Sequence, residues 1–237
     1  MSLLLEVCCN SARDAIEAAR SGADRIELNT ALQLGGLTPG VISLLTVKEQ
    51  ARVPVMVMIR PRDGGFCYCR DEFLLMKEEA GLLLNLGADG IVFGCLNPDG
   101  TVQMEQTRQM VELAGGRPCV FHRALDLCPD WKQALDALIV CGITRVLTSG
   151  QKPTAPEGAD CIRDMIRFAG KDLEILPGSG VRPENAADLV SRTGCGQVHF
   201  SATRMCRKGP DMSGFPGPFP RVDADMVRRM RSVLDSL

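Results

Sequence analysis

Aromatic side chains are scarce. One Trp, one Tyr and eight Phe make up 4% of the chain, too few for a platform on which nucleic-acid bases could stack. Neither sign of charge is in excess: 24% of residues are charged and the net charge is -2. No basic surface is therefore expected for nucleic acid or for an anionic membrane. No apolar run approaches the roughly 18 residues of a membrane span. The first apolar run stops at Glu6, too soon for an export signal, so the expected compartment is the cytoplasm. The 11 cysteines are an odd number, scattered along the chain. In a reducing compartment they read as free thiols, most of them small buried hydrophobes.

What the chain does contain is a repeated junction. Gly-Ala-Asp-Arg-Ile-Glu-Leu (22–28), Gly-Ala-Asp-Gly-Ile-Val-Phe (87–93), Gly-Ile-Thr-Arg-Val-Leu-Thr (142–148) and Gly-Cys-Gly-Gln-Val-His-Phe (194–200) each place a glycine before an apolar run. Glycine ends a helix and the run opens a strand. Further runs at 3–7, 55–59, 119–123 and 173–176 bring the strands to eight. Their apolar residues are nearly continuous, the pattern of parallel strands covered on both faces. Caps mark the intervening helices: Asn10 or Ser11, Thr38 with Pro39, Asp71, Asp130, Arg182 with Pro183, and Asp223. Eight strands alternating with eight helices in 237 residues predict a single (β/α)8 barrel domain over residues 1–237. An open doubly wound sheet is the other architecture this pattern allows. Residues 203–222, with four prolines and three glycines, fit neither and are expected to form a mobile loop or lid before the last helix.

In such barrels the chemistry sits where strands end. Those positions hold Glu6 and Cys8, Glu27 and Asn29, Arg60 and Arg62, His122 and Arg123 with Asp126 beyond, Thr148 and Ser149, the turn Gly178-Ser179-Gly180, and His199 and Ser201. Glu6 and Glu27 on neighbouring strands would lie about 5 Å apart if their registers matched. Two such carboxylates need a shared proton or a cation, and Arg60, on the next strand, is the cheapest cation available. That set reads either as an ion-pair network closing the barrel or as acid/base machinery with Arg60 orienting an anion. His122, Arg123 and Asp126 form the sharper catalytic candidate, although successive strand residues face opposite ways. The Gly178–Gly180 turn ahead of a helix could seat an anion or merely turn the chain. Arg62, Ser149 and Ser201 complete the expected ligand-binding set. Among the thiols, Cys67 and Cys69 could reach one soft ion, as could Met205, Cys206 and Met212 in the proline-rich stretch.

Taken in order, Leu-Glu-Val-Cys (5–8), 22–28, Gly-Gly-Leu-Thr-Pro (35–39), Val-Met-Ile-Arg-Pro-Arg (57–62), Val-Phe-Gly (92–94), Phe-His-Arg-Ala (121–124) with Asp126, Leu-Thr-Ser-Gly (147–150) and Pro-Gly-Ser-Gly (177–180) resemble the CutC family of copper-homeostasis proteins. The resemblance runs to about Ser201. It implies a cytoplasmic barrel, often a homo-oligomer, assigned to copper handling, with Cys8 as a metal ligand. That family usually has Cys after Ile-Glu-Leu, where this chain has Asn29, so the implied thiolate pair is broken. Its Gly-Gly-Gly turn reads Gly178-Ser179-Gly180 here. Two readings follow. One is a copper(I)-binding homeostasis protein relying on Cys8. The other is an enzyme on a small anionic or phosphorylated metabolite, with Glu6, Glu27 or His122 moving protons and Arg60 and Arg123 holding the anion. A scaffold acting through an oligomer surface stands beside these two.

Overall fold

The apolar runs become strands because each can bury both faces. In the computed structural model, which describes residues 3–206 and 219–237, eight parallel strands alternate with eight α-helices. The strands are β1 (Leu4–Cys9), β2 (Arg25–Leu28), β3 (Val55–Met58), β4 (Gly90–Phe93), β5 (Cys119–Phe121), β6 (Arg145–Thr148), β7 (Glu174–Pro177) and β8 (Gln197–Phe200). The helices are α1 (Ala12–Arg20), α2 (Val41–Gln50), α3 (Arg70–Asn85), α4 (Met104–Ala114), α5 (Trp131–Cys141), α6 (Ala159–Ala169), α7 (Pro183–Thr193) and α8 (Ala224–Asp235). The ladder runs β7-β6-β5-β4-β3-β2-β1-β8, and β7 lies against β8 to complete a (β/α)8 barrel. No described helix is long and apolar enough to cross a membrane.

The caps follow the sequence, with two displacements. Ser11, Asp130 and Asp223 each accept backbone N–H groups at the start of α1, α5 and α8. Thr38 does not cap α2, which starts at Val41. Its hydroxyl accepts the Arg60 amide instead, so it ties the loop after β2 to the end of β3. The start of α3 moves one residue back, to Arg70, with Cys69 as N-cap. The expected irregular loop over 203–222 is also corrected at both ends. Thr203–Cys206 (β9) and Phe219–Val222 (β10) form an antiparallel pair, because Thr203 opposite Val222 and Cys206 opposite Phe219 supply good strand formers. Met212 and the rest of 207–218 lie outside the described residues.

Side-chain alternation divides the core in two. Outward residues such as Leu5, Val7, Ile26, Leu28, Val55 and Val57 pack under the helices. Inward, Met56, Met58, Val92, Val120, Leu147 and Leu176 form a separate cluster. These come from β3 to β7. The remaining strands point polar groups into the barrel: Glu6 and Cys8 from β1, Arg25 and Glu27 from β2, Gln197 and His199 from β8, all buried. Half of the interior is thus oil and half is a hydrogen-bonded polar layer.

Candidate functional site

Register decides which polar groups meet. Glu6 stands opposite Arg25 on one side and His199 on the other, while Glu27 stands opposite Cys8 and Met56. The two glutamates are therefore staggered by two residues, and the cation for Glu6 is Arg25 rather than Arg60. Arg25 Nε bonds Glu6 Oε2, and its Nη2 donates to Gln197 Oε1 at 2.8 Å. His199 Nδ1 meets Glu6 Oε1 at 2.8 Å. Burial alone would raise the Glu6 carboxyl, but the His199 hydrogen bond and the Arg25 charge outweigh it and bring the pKa down to about 2. Sequence reading had no signal for Arg25, since a lone Arg at the start of a strand usually reaches solvent.

Above this pair lies a second group. Cys8 Sγ is 3.4 Å from Glu27 Oε1. Asn29 Nδ2 donates to Glu27 Oε1 at 2.9 Å and to Cys8 Sγ at 3.4 Å. Glu27 Oε2 is buried without a partner. Ligand atoms of Cys8, Glu27 and His199 all fall within 4.8 Å of one another, a grouping that could hold a metal ion. Burial and the neighbouring Glu27 charge push the Cys8 thiol well above its ordinary range, so it is a protonated donor to Glu27. Burial also raises Glu27, aided by the Glu6 charge. For His199, burial is outweighed by the charges of Glu27 and Glu6, and its pKa rises.

The two histidines differ in what their second nitrogen can do. His199 holds Glu6 through Nδ1, which orients the ring and leaves Nε2 as its ligand atom, the arrangement that supports metal-binding imidazoles. His122 Nδ1 instead accepts the Ala124 amide at 3.1 Å. Its proton is therefore on Nε2, which is buried without a partner. Burial and the Arg60 charge depress its pKa to about 3, so it is a neutral donor locked away from metal ligation. Phe66 packs on its ring at 4.5 Å between centroids. A Cβ on Gly94 would lie 2.4 Å from His122 Cε1 and 2.9 Å from Ala124 Cβ. Gly94→Ala is expected to cost about 1–3 kcal/mol through overpacking, read as a lower denaturant midpoint at unchanged slope. An unchanged midpoint would mean that the ring has room to move.

The other expected site residues serve as ties between loops. Arg60 donates to the carbonyls of Leu34, Gly36 and Gly64, which removes it from Glu6 and corrects the expected network. Arg62 grips Glu72 and the Gly65 and Cys67 carbonyls. Asp126 accepts from Thr148 Oγ1, Ser149 Oγ and the Arg123 guanidinium, and Arg123 Nη2 donates to Ser149 Oγ at 2.7 Å. Asp126 is thus the knot joining the loops after β5 and β6. Ser179 takes a positive φ of 77° and its hydroxyl donates to the Pro153 carbonyl. Ser201 Oγ meets Thr203 Oγ1 at 2.8 Å. Gly178 is required by crowding: a Cβ there would lie 2.5 Å from Leu147 Cδ1 and 3.1 Å from His199 Cβ.

Cys8 and His199 open on a cavity of about 800 Å³ at the C-terminal mouth, whose walls include Arg123, Ser179, Gly180 and Ser201. Cys8 also borders a smaller one of about 380 Å³ under the β9–β10 pair, with Asn10, Gln33 and Met205. A cavity of about 420 Å³ at the opposite end is lined by Arg25, Arg145, Glu174 and Gln197, and in this fold that end carries stability rather than chemistry.

The CutC family model matches residues 3–204. A CutC family protein of Treponema denticola is 46% identical over 215 residues, 91% of this chain and 87% of that protein. A Drosophila melanogaster protein named as a copper homeostasis protein CutC homolog is 40% identical over 201 residues, 84% of this chain and 76% of that protein. The solved CutC structure from Streptococcus agalactiae superposes with a TM-score of 0.79 at 31% identity, covering 83% of this chain and 97% of that one.

Proposed function

The chain belongs to the CutC family of copper homeostasis, and on that premise we propose that it binds copper(I) directly, as cargo, at the mouth of its barrel. The ligands are Cys8 Sγ and the free nitrogen of His199, with Glu27 at their side. The observation that carries this reading is the convergence of Cys8, Glu27 and His199 within 4.8 Å, with Cys8 and His199 on the wall of the large mouth cavity. Thiolate and imidazole both suit copper. Glu6 contributes from behind by holding the His199 ring at 2.8 Å, and such outer partners typically tune affinity by 10–100-fold. Binding must displace the Cys8 proton and the proton on the His199 ring, so affinity rises with pH. The setting is cytoplasmic, in keeping with eleven free cysteines, because a reducing compartment preserves both the thiol and the monovalent ion.

Asn29 limits the site to one sulfur. Its amide nitrogen lies 3.4 Å from Cys8 Sγ, where a second thiol would complete a soft pair. The test is an anaerobic copper(I) titration against a chromophoric chelator. Cys8→Ser and His199→Gln are each expected to weaken binding at this site by at least about 10-fold, and Asn29→Cys to tighten it by a similar factor. Equal affinity in wild type, Cys8→Ser and His199→Gln would end this reading.

A further inference from the structure

Two exposed cysteines stand apart from that site. Cys67 and Cys69 flank Tyr68 in the loop between β3 and α3, and both are exposed while Tyr68 is buried. Tyr68 turns inward as an anchor, with the Arg62 guanidinium 5.1 Å from its ring centroid. Residues 67 and 69 are thus exposed on either side of a buried Tyr68; Cys69 has extended backbone angles, φ −71° and ψ 173°, and its thiol meets Glu72 at the start of α3.

The loop is held at both thiol-bearing residues. Arg62 Nη2 donates to the Cys67 carbonyl at 3.1 Å. The Cys69 amide donates to Glu72 Oε2 at 2.9 Å, and Glu72 is itself paired with Arg62. One Arg–Glu clamp thus fixes the backbone on both sides of Tyr68, between the two cysteines. Such preorganisation spares a ligand the entropy of ordering the loop.

The geometry fits a soft cation. Residues two apart in an extended chain have Cα atoms separated by roughly 6.6 Å. A two-coordinate ion with metal–sulfur bonds of ~2.3 Å spans ~4.6 Å between sulfurs, which χ1 rotation of two cysteines can close. Cys69 is the N-cap of the 16-residue α3. Phe66, in the same loop, packs on His122, so the pair follows β3 on the rim where the strands end.

We propose that Cys67 and Cys69 form a second, surface copper(I) site, a two-thiolate clamp that takes up the ion at the rim. The choice of copper(I) among soft ions rests on the family reading above. The clamp itself does not depend on the Cys8 site.

The experiment uses the full chain in a Cys8→Ser background, which silences the buried site. Copper(I) is titrated anaerobically against a chelator, and thiols are then footprinted with iodoacetamide and mass spectrometry. The background protein is expected to take up one equivalent that protects Cys67 and Cys69 together. Cys67→Ser or Cys69→Ser is each expected to weaken this uptake about 100-fold, as much as the double substitution, because a chelate is lost when either arm goes. Cys69→Ser keeps a good N-cap, so folding is preserved. Uptake unchanged in the double variant, protection at other cysteines, or no uptake once Cys8 is replaced would each overturn the clamp. The last result leaves the Cys8 reading standing. Loss of uptake only through Cys67 and Cys69, with Cys8 indifferent, would remove that reading and leave the clamp.

Discussion

Acidification from pH 7 to pH 5 is expected to cost the native state about 2 kcal/mol through one side chain, His122. Burial and the Arg60 charge hold its pKa at about 3 in the fold, against roughly 6.5 in the unfolded chain. A base with a depressed native pKa binds its proton first in the unfolded state. Its contribution is therefore complete above about pH 6.5 and is lost progressively as pH falls toward 3. By pH 4 the loss reaches about 3 kcal/mol by the same relation. Glu6, brought down to about 2, adds a further loss only below about pH 4.5, where the unfolded carboxylate begins to protonate. Glu27 acts in the opposite sense, since its pKa is raised and the fold gains as it protonates.

The comparison that isolates His122 is urea unfolding of wild type and His122→Asn between pH 7 and pH 4. Asn keeps an acceptor for the Ala124 amide but cannot charge. It is expected to be less stable at pH 7, because the ring packed on Phe66 is gone, and to show a flatter profile on acidification. Parallel profiles for the two proteins would mean that His122 is not the acid-sensitive group. They would also undo the assignment of its proton to Nε2 in a site closed to water.

Arg25→Met is expected to lower stability by about 3–5 kcal/mol, the usual cost of removing one partner from a buried ion pair. Glu6 and Arg25 have side chains 1% and 6% exposed, so neither charge can turn to water. With the guanidinium gone, Glu6 retains only His199, and Gln197 Oε1 loses the donor it meets at 2.8 Å. The double variant Glu6→Leu/Arg25→Met is expected to recover a large part of the loss, because apolar replacement of a whole buried pair is often neutral or better. Chemical denaturation of both proteins reads the difference. A loss below about 1 kcal/mol in Arg25→Met would show that the barrel interior is wet enough to screen Glu6. The same substitution is a test of the site above it: with Glu6 no longer held, His199 loses its orientation and copper(I) affinity should fall with stability.

Much of the barrel was legible in the chain. The glycine that ends several of the helices and the apolar run that follows give those strand starts directly, as at 87–93 and 142–148, because helix termination and strand entry are local events. The caps at Ser11, Asp130 and Asp223 are local too. Thr38 misled because its hydroxyl had a distant acceptor and donor at the end of β3, and a tertiary hydrogen bond outranked the local cap. The proline-rich stretch misled at its ends because strand pairing between β9 and β10 depends on residues more than ten apart in sequence.

The sequence by itself determined that this is an eight-stranded α/β barrel of the CutC family, with its polar groups at the strand ends. Those are consequences of local propensity and of motifs read in order. Which polar groups meet was decided only by the tertiary structure. A strand register that places Glu6 against Arg25 and His199, and Glu27 against Cys8, is set by the closure of the whole sheet. One residue of slip would send every one of these side chains to the other face. The fate of the two histidines was settled in the same way. His199 lies within β8 while His122 stands one residue past β5, and the fold gives the first a carboxylate at Nδ1 and the second the backbone amide of Ala124. A proton's place on an imidazole depends on the partner opposite it, and that partner is 193 residues away along the chain for His199.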